Sequence, residues 1–205
     1  YEVERGLSIM PRLWTAVTAV YAALRSGLAE AFPDASFTIP PFLSFGSWMG
    51  GDRDGNPFVT AEITEQTLVR LRQAAIDTHL QWCRRLHDML TISLKSAPGA
   101  HELLARLADL RQQWPTLEQT ESTIPPNEAY RQWLRMIRLR LEASRADSLT
   151  EPLSPLAYTE PADFEADVGR IVDCLERDHG LSLDAPARQW LDLVRTFGLH
   201  MTRLD

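Results

Sequence analysis

The stretch FGSWMGGDRDGNPFVT, residues 45–60, predicts a strand, a tight loop and a helix in that order. Apolar and small residues alternate over 42–47, which favours a short strand. Gly50 and Gly51 follow it and permit a sharp turn with close backbone approach. Thr60 is a good N-cap for the helix that comes next. Functional groups in parallel α/β folds lie in loops of this kind, after the carboxyl end of a strand.

Helical periodicity dominates the rest of the chain. Apolar residues recur at helical spacing in several segments, which prolines and glycines separate. The predicted helices cover about 7–31 (broken at Pro11), 61–94, 101–114, 127–145, 162–179 and 185–197, and GLHMTRLD at 198–205 begins a further extended segment. The sequence therefore predicts a mainly α fold, a multi-helix domain with one or two short strands. Two strands so far apart cannot form a stable sheet alone. Either the loops are irregular, or other parts of a larger protein complete the sheet.

Composition argues against several classes of partner. The net charge is -7 and no sustained Lys/Arg block occurs, so we expect no nucleic-acid partner. We also expect no membrane span, because no apolar run approaches the ~18 residues that a span needs. Cys83 and Cys174 fall on predicted helices and suggest buried, reduced thiols, which fits a cytoplasmic protein. The chain starts at Tyr1 within a helical pattern and stops on an apolar segment, so we expect both ends to continue in a longer protein.

The 45–60 stretch does not match any of three familiar loop motifs. A phosphate-binding P-loop ends in Gly-Lys-Ser/Thr, which does not occur in this stretch. The glycines do not match the G-x-G-x-x-G pattern of a dinucleotide loop. A calcium loop is closer, since Asp52, Asp54 and Asn56 alternate, but Gly55 is at the fourth position and Ile63 at the twelfth, where a glutamate is required.

Arg53 is the charged residue of greatest interest in this loop. It lies between Asp52 and Asp54, and two carboxylates would orient its planar guanidinium toward a phosphate or carboxylate. The alternative is that these three residues only satisfy one another and the loop backbone. Trp48, at the strand end, is either a core residue or the wall of an apolar pocket beside the loop.

Residues Trp48 to Phe58 resemble very closely a signature segment of phosphoenolpyruvate carboxylase. NEAYRQWLRMIRLRLEAS, at 127–144, is similar to the family's Pro-Tyr-Arg helix, with a looser match in front of Tyr130. LVRTFGLHMTRLD, at 193–205, is similar to the approach to the family's Leu-Asp-x-Arg-Gln segment. The resemblance runs from the first helix to the last residue.

This resemblance implies a (β/α)8 barrel wrapped in additional helices in the full-length enzyme. Residues 42–48 would be one barrel strand, GLHMTRLD would lead into the next, and the helices between them would be an insertion. The family joins bicarbonate to phosphoenolpyruvate with Mg²⁺ or Mn²⁺ and yields oxaloacetate and phosphate. The phosphoryl group passes first to bicarbonate, and the resulting carboxyphosphate releases CO2 to the enolate. A homotetramer is expected for the full-length enzyme.

The resemblance also implies roles for individual residues. Trp48 matches a tryptophan of the apolar pocket that holds CO2, and Arg53 would face an anion with Asp52 and Asp54 in support. The residues expected to bind substrate are Trp48, Gly50, Gly51 and Asn56. We expect no metal ligand in this part of the chain.

Several catalytic elements of the family are missing from the sequence. The family's Thr-Ala-His-Pro segment does not occur in the 205 residues, and none of the five histidines lies in that motif. We expect most of these histidines to be surface or helix-face residues. We therefore expect the isolated chain to be inactive. If it folds alone, its strand edges and Trp48 should be exposed, which predicts self-association or a loosely ordered 42–56 segment.

The expected organisation is one helical fragment, with two other functions kept open. The segments are 1–40 (helices and a proline-rich loop), 41–60 (strand and glycine-rich active-site loop), 61–146 (long helices), 147–161 (proline-rich connection) and 162–205 (two helices leading into a strand). The first alternative function is a non-catalytic helical interaction or regulatory module. The second is a calcium-binding helical protein, which calcium would stabilise.

Overall fold

A computed structural model describes residues 2–52, 58–117, 124–179 and 185–204 of the chain. Within these ranges the protein is mainly helical, as the sequence predicts, with two short strands. The elements are α1 (Glu2–Leu7), α2 (Met10–Ala31), β1 (Gly46–Ser47), α3 (Ala61–Met89), α4 (His101–Gln113), α5 (Ala129–Ala143), α6 (Pro161–His179), α7 (Ala185–Phe197) and β2 (Arg203–Leu204).

Local sequence signals explain most helix ends. Pro11 lies in the first turn of α2, where its missing N–H costs nothing, so the predicted break between α1 and α2 is confirmed. Thr60 caps α3 as predicted, and its hydroxyl accepts a hydrogen bond from the Ile63 amide at 3.3 Å. The predicted extension of α3 to Leu94 is wrong. The helix ends at Met89, and the amide of Leu94 instead donates to the carbonyl of Asn127 at 2.9 Å.

The long helix α3 lies between two apolar clusters. The larger cluster joins α3, α4, α5, α6 and α7, and its largest fully buried side chains include Trp133 and Trp190. The smaller cluster packs α2 against α3 and α7 and includes Trp14 and Tyr21. Cys83 and Cys174 are both free and buried, as predicted.

The two strands are parallel neighbours, although all of α3 to α7 separates them in the sequence. Gly46 pairs with Arg203 and Ser47 with Leu204. The amide of Arg203 donates to the carbonyl of Phe45 at 3.0 Å. The strand predicted at 42–48 is therefore shorter than expected, because ladder pairing is formed only at its carboxyl end. A helical crossover between parallel strands is the arrangement expected of α/β folds.

One helical stretch changes the expectation about membrane spans. Among the described residues, Arg5–Ala31 is long and apolar enough to cross a membrane by length and composition. The expectation that no run reaches this length was therefore wrong. Such a single helix near the N-terminus is weak evidence of a span, because a core helix passes the same test.

Candidate functional site

The candidate site begins with a tight turn directly after β1. The amides of Gly51 and Asp52 both donate to the carbonyl of Trp48, at 3.0 and 3.1 Å. The amide of Met49 donates to the hydroxyl of Ser47 at 3.2 Å. These short-range bonds close the backbone on itself within one turn, so the chain reverses at the carboxyl end of the strand.

Gly50 fixes this turn against the first turns of α3. Its φ of +72° lies in the left-handed region, which side chains rarely adopt. A Cβ on this residue would also lie 2.7 Å from the Cβ of Thr67, too close for real atoms. The hydroxyl of Thr64 donates to the Gly50 carbonyl at 2.7 Å. Glycine alone adopts this φ without strain and has no Cβ to collide with Thr67. The turn and α3 are therefore held in one arrangement.

Large apolar side chains lie exposed beside the turn. Trp48 is 69% exposed and Phe58, at the other end of the loop, is 83% exposed. Trp48 is therefore no core residue of this segment, and its exposure agrees with the expectation for an isolated chain. Its indole can wall an apolar pocket once other protein surface covers it.

Only part of the predicted charged cluster can be placed. Asp52 is exposed at the end of the turn. Arg53, Asp54 and Asn56 lie outside the described residues, so their predicted roles stay predictions. The described residues bring together no three His, Cys, Asp or Glu side chains that could hold a metal ion. The described part of the site therefore does not fit Mg²⁺ or Mn²⁺, and no step through a metal follows from it.

Sequence reasoning missed a buried ionic network between α5 and α6. Arg140 donates to the carboxylate of Asp167 at 2.7 Å, and the hydroxyl of Tyr158 donates to the same oxygen at 2.8 Å. The Arg140 guanidinium stacks on the Tyr158 ring and on Trp114, at 3.8 and 4.9 Å from the ring centres. Burial raises the pKa of Asp167, and the Arg140 pair opposes this only in part. The network joins α5, the following connection and α6.

The position of Arg140 in the sequence could have indicated this network. The predicted helix at 127–145 carries Arg131, Arg135, Arg138 and Arg145 on its polar side. Arg140 is three residues after Ile137 and so falls within the apolar stripe of the helix. An arginine at such a position needs a buried acidic partner, because an unpaired buried charge is very costly.

His79 was predicted to lie on the apolar face of the long helix, and it is a core residue. It lies on α3 and is fully buried between the rings of Trp14 and Phe164. Burial lowers its pKa to about 4, and its hydrogen bond to the carbonyl of Gly198 opposes this. A neutral imidazole held in this way supports the packing of α3 on α7 and is remote from the loop after β1.

Comparison with known proteins assigns the family. A model of the family "Phosphoenolpyruvate carboxylase" matches residues 1–205. The enzyme of that name from Azoarcus sp. (strain BH72) is 34% identical over 214 residues, which cover all of this chain and 22% of the relative. The one from Methylorubrum extorquens is 36% identical over 71% of this chain and 16% of its own length. The one from Paraburkholderia xenovorans is 30% identical over all of this chain and 21% of its own length.

The chain spans about a fifth of the length of the curated relatives that it matches. The match nevertheless covers all 205 residues, including the turn after β1 and both strands. This chain therefore belongs to the phosphoenolpyruvate carboxylase family.

Proposed function

We propose that this chain is the segment of a phosphoenolpyruvate carboxylase that carries one strand-end loop of its active site. The complete protein would carboxylate phosphoenolpyruvate with bicarbonate and release oxaloacetate and phosphate. It would work in the cytoplasm as a homotetramer with Mg²⁺ or Mn²⁺, feed carbon into the tricarboxylic acid cycle, and need neither nucleic acid nor membrane. The proposal also keeps the division of the chain into five segments, 1–40, 41–60, 61–146, 147–161 and 162–205, of which 41–60 carries the active-site loop.

The observation that carries this proposal is the position of the turn at Gly50. It directly follows β1 in a parallel strand pair. The hydroxyl of Thr64 bonds it to the next helix, and Thr67 of that helix lies close against it. In parallel sheets the carboxyl ends of the strands form the edge where substrates bind. A turn made rigid at this edge presents the residues that follow it in a defined direction.

The loop carries residues that could bind an anionic phosphate group and residues that could bind apolar CO2. Arg53, set between Asp52 and Asp54, would face phosphate charge as it develops during transfer to bicarbonate. The exposed indole of Trp48 would form an apolar wall for CO2 and keep water from it. Asn56 and the backbone of Gly51 would add hydrogen bonds to the substrate.

The isolated chain is expected to be inactive. It contains no Thr-Ala-His-Pro segment, and the described residues bring no three potential metal ligands together. The purified 205-residue chain should therefore yield no oxaloacetate above a buffer blank. Measurable production would show that the site is complete within these residues.

The full-length gene product tests the proposal directly. Oxaloacetate would be followed through NADH oxidation by added malate dehydrogenase, with phosphoenolpyruvate, bicarbonate and Mg²⁺ present. Arg53→Ala should lower kcat by about 100-fold, as loss of a charge-stabilising donor does. Arg106→Ala, on α4 and half-exposed, is the matched control and should leave kcat unchanged. A full-length protein without activity, or an Arg53→Ala variant as fast as the wild type, would reject the proposal.

A further inference from the structure

Helix α2 carries two apolar faces, of which one is buried. Met10, Trp14, Val17 and Tyr21 form the buried face. Trp14 stacks on Phe197 of α7 at 4.6 Å, and its indole N–H donates to the sulfur of Met201 at 3.1 Å. These contacts fix α2 beside the segment that leads into β2.

The second apolar face of α2 is exposed over nearly the whole helix. Ile9, Val20 and Leu24 are 58, 46 and 38% exposed. The sequence from Leu13 to Leu24 contains no charged residue, whereas the solvent face of a helix normally carries several. The remaining exposed positions between residues 15 and 27 are Thr15, Ala16, Ala19, Ala23, Ser26 and Gly27, all small. Such side chains let a second helix approach closely.

The geometry of α2 argues against a membrane. A spanning helix is apolar all round and faces lipid, whereas α2 packs Trp14 against Phe197 of α7. Arg25 also forms a two-bonded ion pair with Asp192 of α7, at 2.6 and 2.7 Å, and Asp192 is buried. Insertion into a bilayer would break this pair and leave Asp192 without its guanidinium.

The size of the face argues against a second copy of the chain. From Ile9 to Gly27 the exposed face is about 27 Å long and about 10 Å wide. A helix packed along it would bury roughly 500–600 Å² in total, well below the ~1,200 Å² of a stable interface between separate proteins. A tethered helix needs far less, because its effective concentration is high.

We propose that the exposed face of α2, Ile9 to Gly27, docks a helix from the part of the same polypeptide outside these 205 residues. The inference rests on the proposed function, since the curated relatives are several times longer than the chain that matches them. Covering this face would remove the exposed side chains of Ile9, Val20 and Leu24 from water.

Cysteine labelling of the full-length gene product tests this docking. Val20→Cys and Ala23→Cys place a thiol on the face. Ala29→Cys places one at an exposed position of α2 that lies about 180° from Val20 and about 120° from Ala23 around the helix. Reaction with a maleimide is followed at each peptide by mass spectrometry, so the buried native Cys83 and Cys174 do not interfere. The two face variants should react at least about tenfold more slowly than Ala29→Cys, because labelling needs local opening.

If a second copy of the chain or a membrane covers this face instead, the labelling gives a different result. A second copy predicts protection that disappears on dilution, together with a fall in mass by analytical ultracentrifugation. A membrane predicts protection only after phosphatidylglycerol vesicles are added. Either result, or equal labelling of all three variants, overturns the proposal. Protection in a full-length protein that makes no oxaloacetate would leave the docking standing and reject the carboxylase function, so the two proposals fail separately.

Discussion

Acid should destabilise this protein through one buried imidazole, His79. The indole N–H of Trp190 can only donate, so Nδ1 of His79 accepts it at 3.1 Å, and Nε2–H then donates to the Gly198 carbonyl at 2.8 Å. This arrangement requires the neutral imidazole. Trp14 and Phe164 enclose the ring, and burial lowers its pKa from 6.5 to about 4.

The sign and size of the effect follow from linkage. The unfolded chain binds the imidazole proton more tightly than the folded one, so this contribution to stability is complete above about pH 6.5. It is lost progressively as the pH falls from there toward 4. With a folded pKa of about 4, His79 alone lowers the free energy of unfolding by about 2 kcal/mol at about pH 5.

Urea denaturation at about pH 7.5 and about pH 5, followed by tryptophan fluorescence, measures this loss. His79→Gln removes the titration while its amide can still accept one hydrogen bond and donate another. The wild type should lose about 2 kcal/mol more than His79→Gln between the two pH values. His101→Gln, at an exposed position of α4, is the control and should follow the wild type. Equal losses in wild type and His79→Gln would refute the reasoning.

Three further predictions concern the turn, the buried ion pair and the thiols. Gly50→Ala should destabilise the protein by about 1–3 kcal/mol in thermal or urea unfolding, whereas Gly169→Ala, within α6 and with open space around it, should be neutral or slightly stabilising. Asp167→Asn should cost about 3 kcal/mol because it leaves its arginine partner buried without a counter-charge. Asp77→Asn breaks a half-exposed Arg–Asp pair and should cost less than about 1 kcal/mol, so equal costs for the two variants would contradict this reading. Burial raises the pKa of Cys83 to about 12, so Ellman's reagent should modify it only on unfolding, and rapid reaction of the native protein would disprove this.

Much of the local structure could be predicted from the sequence. Periodic apolar residues gave α7 at its observed bounds and α6 within one residue of them. The signals at Pro11 and Thr60 depend only on neighbouring backbone atoms, so they could be read directly. Gly50 of the turn was also informative, because a positive φ is a local property.

Long-range partners could not be predicted in the same way. The end of α3 depends on a hydrogen bond between Leu94 and Asn127, which lie on different elements. Burial of His79 depends on Trp14, Phe164 and Trp190, which three separate helices supply. No pattern within α3 distinguishes such a histidine from one at the edge of an apolar face.

By itself, the sequence determined that this protein is helical, where its turn lies and to which family its residues point, because helix periodicity, capping and glycine conformation act between near neighbours. Only the tertiary structure decided that β1 and β2 are parallel partners across five helices, that Thr67 leaves no room for a side chain at Gly50, and that Arg140 finds Asp167. Each of these depends on distances between residues far apart in the chain. Such distances exist only after the helices have packed.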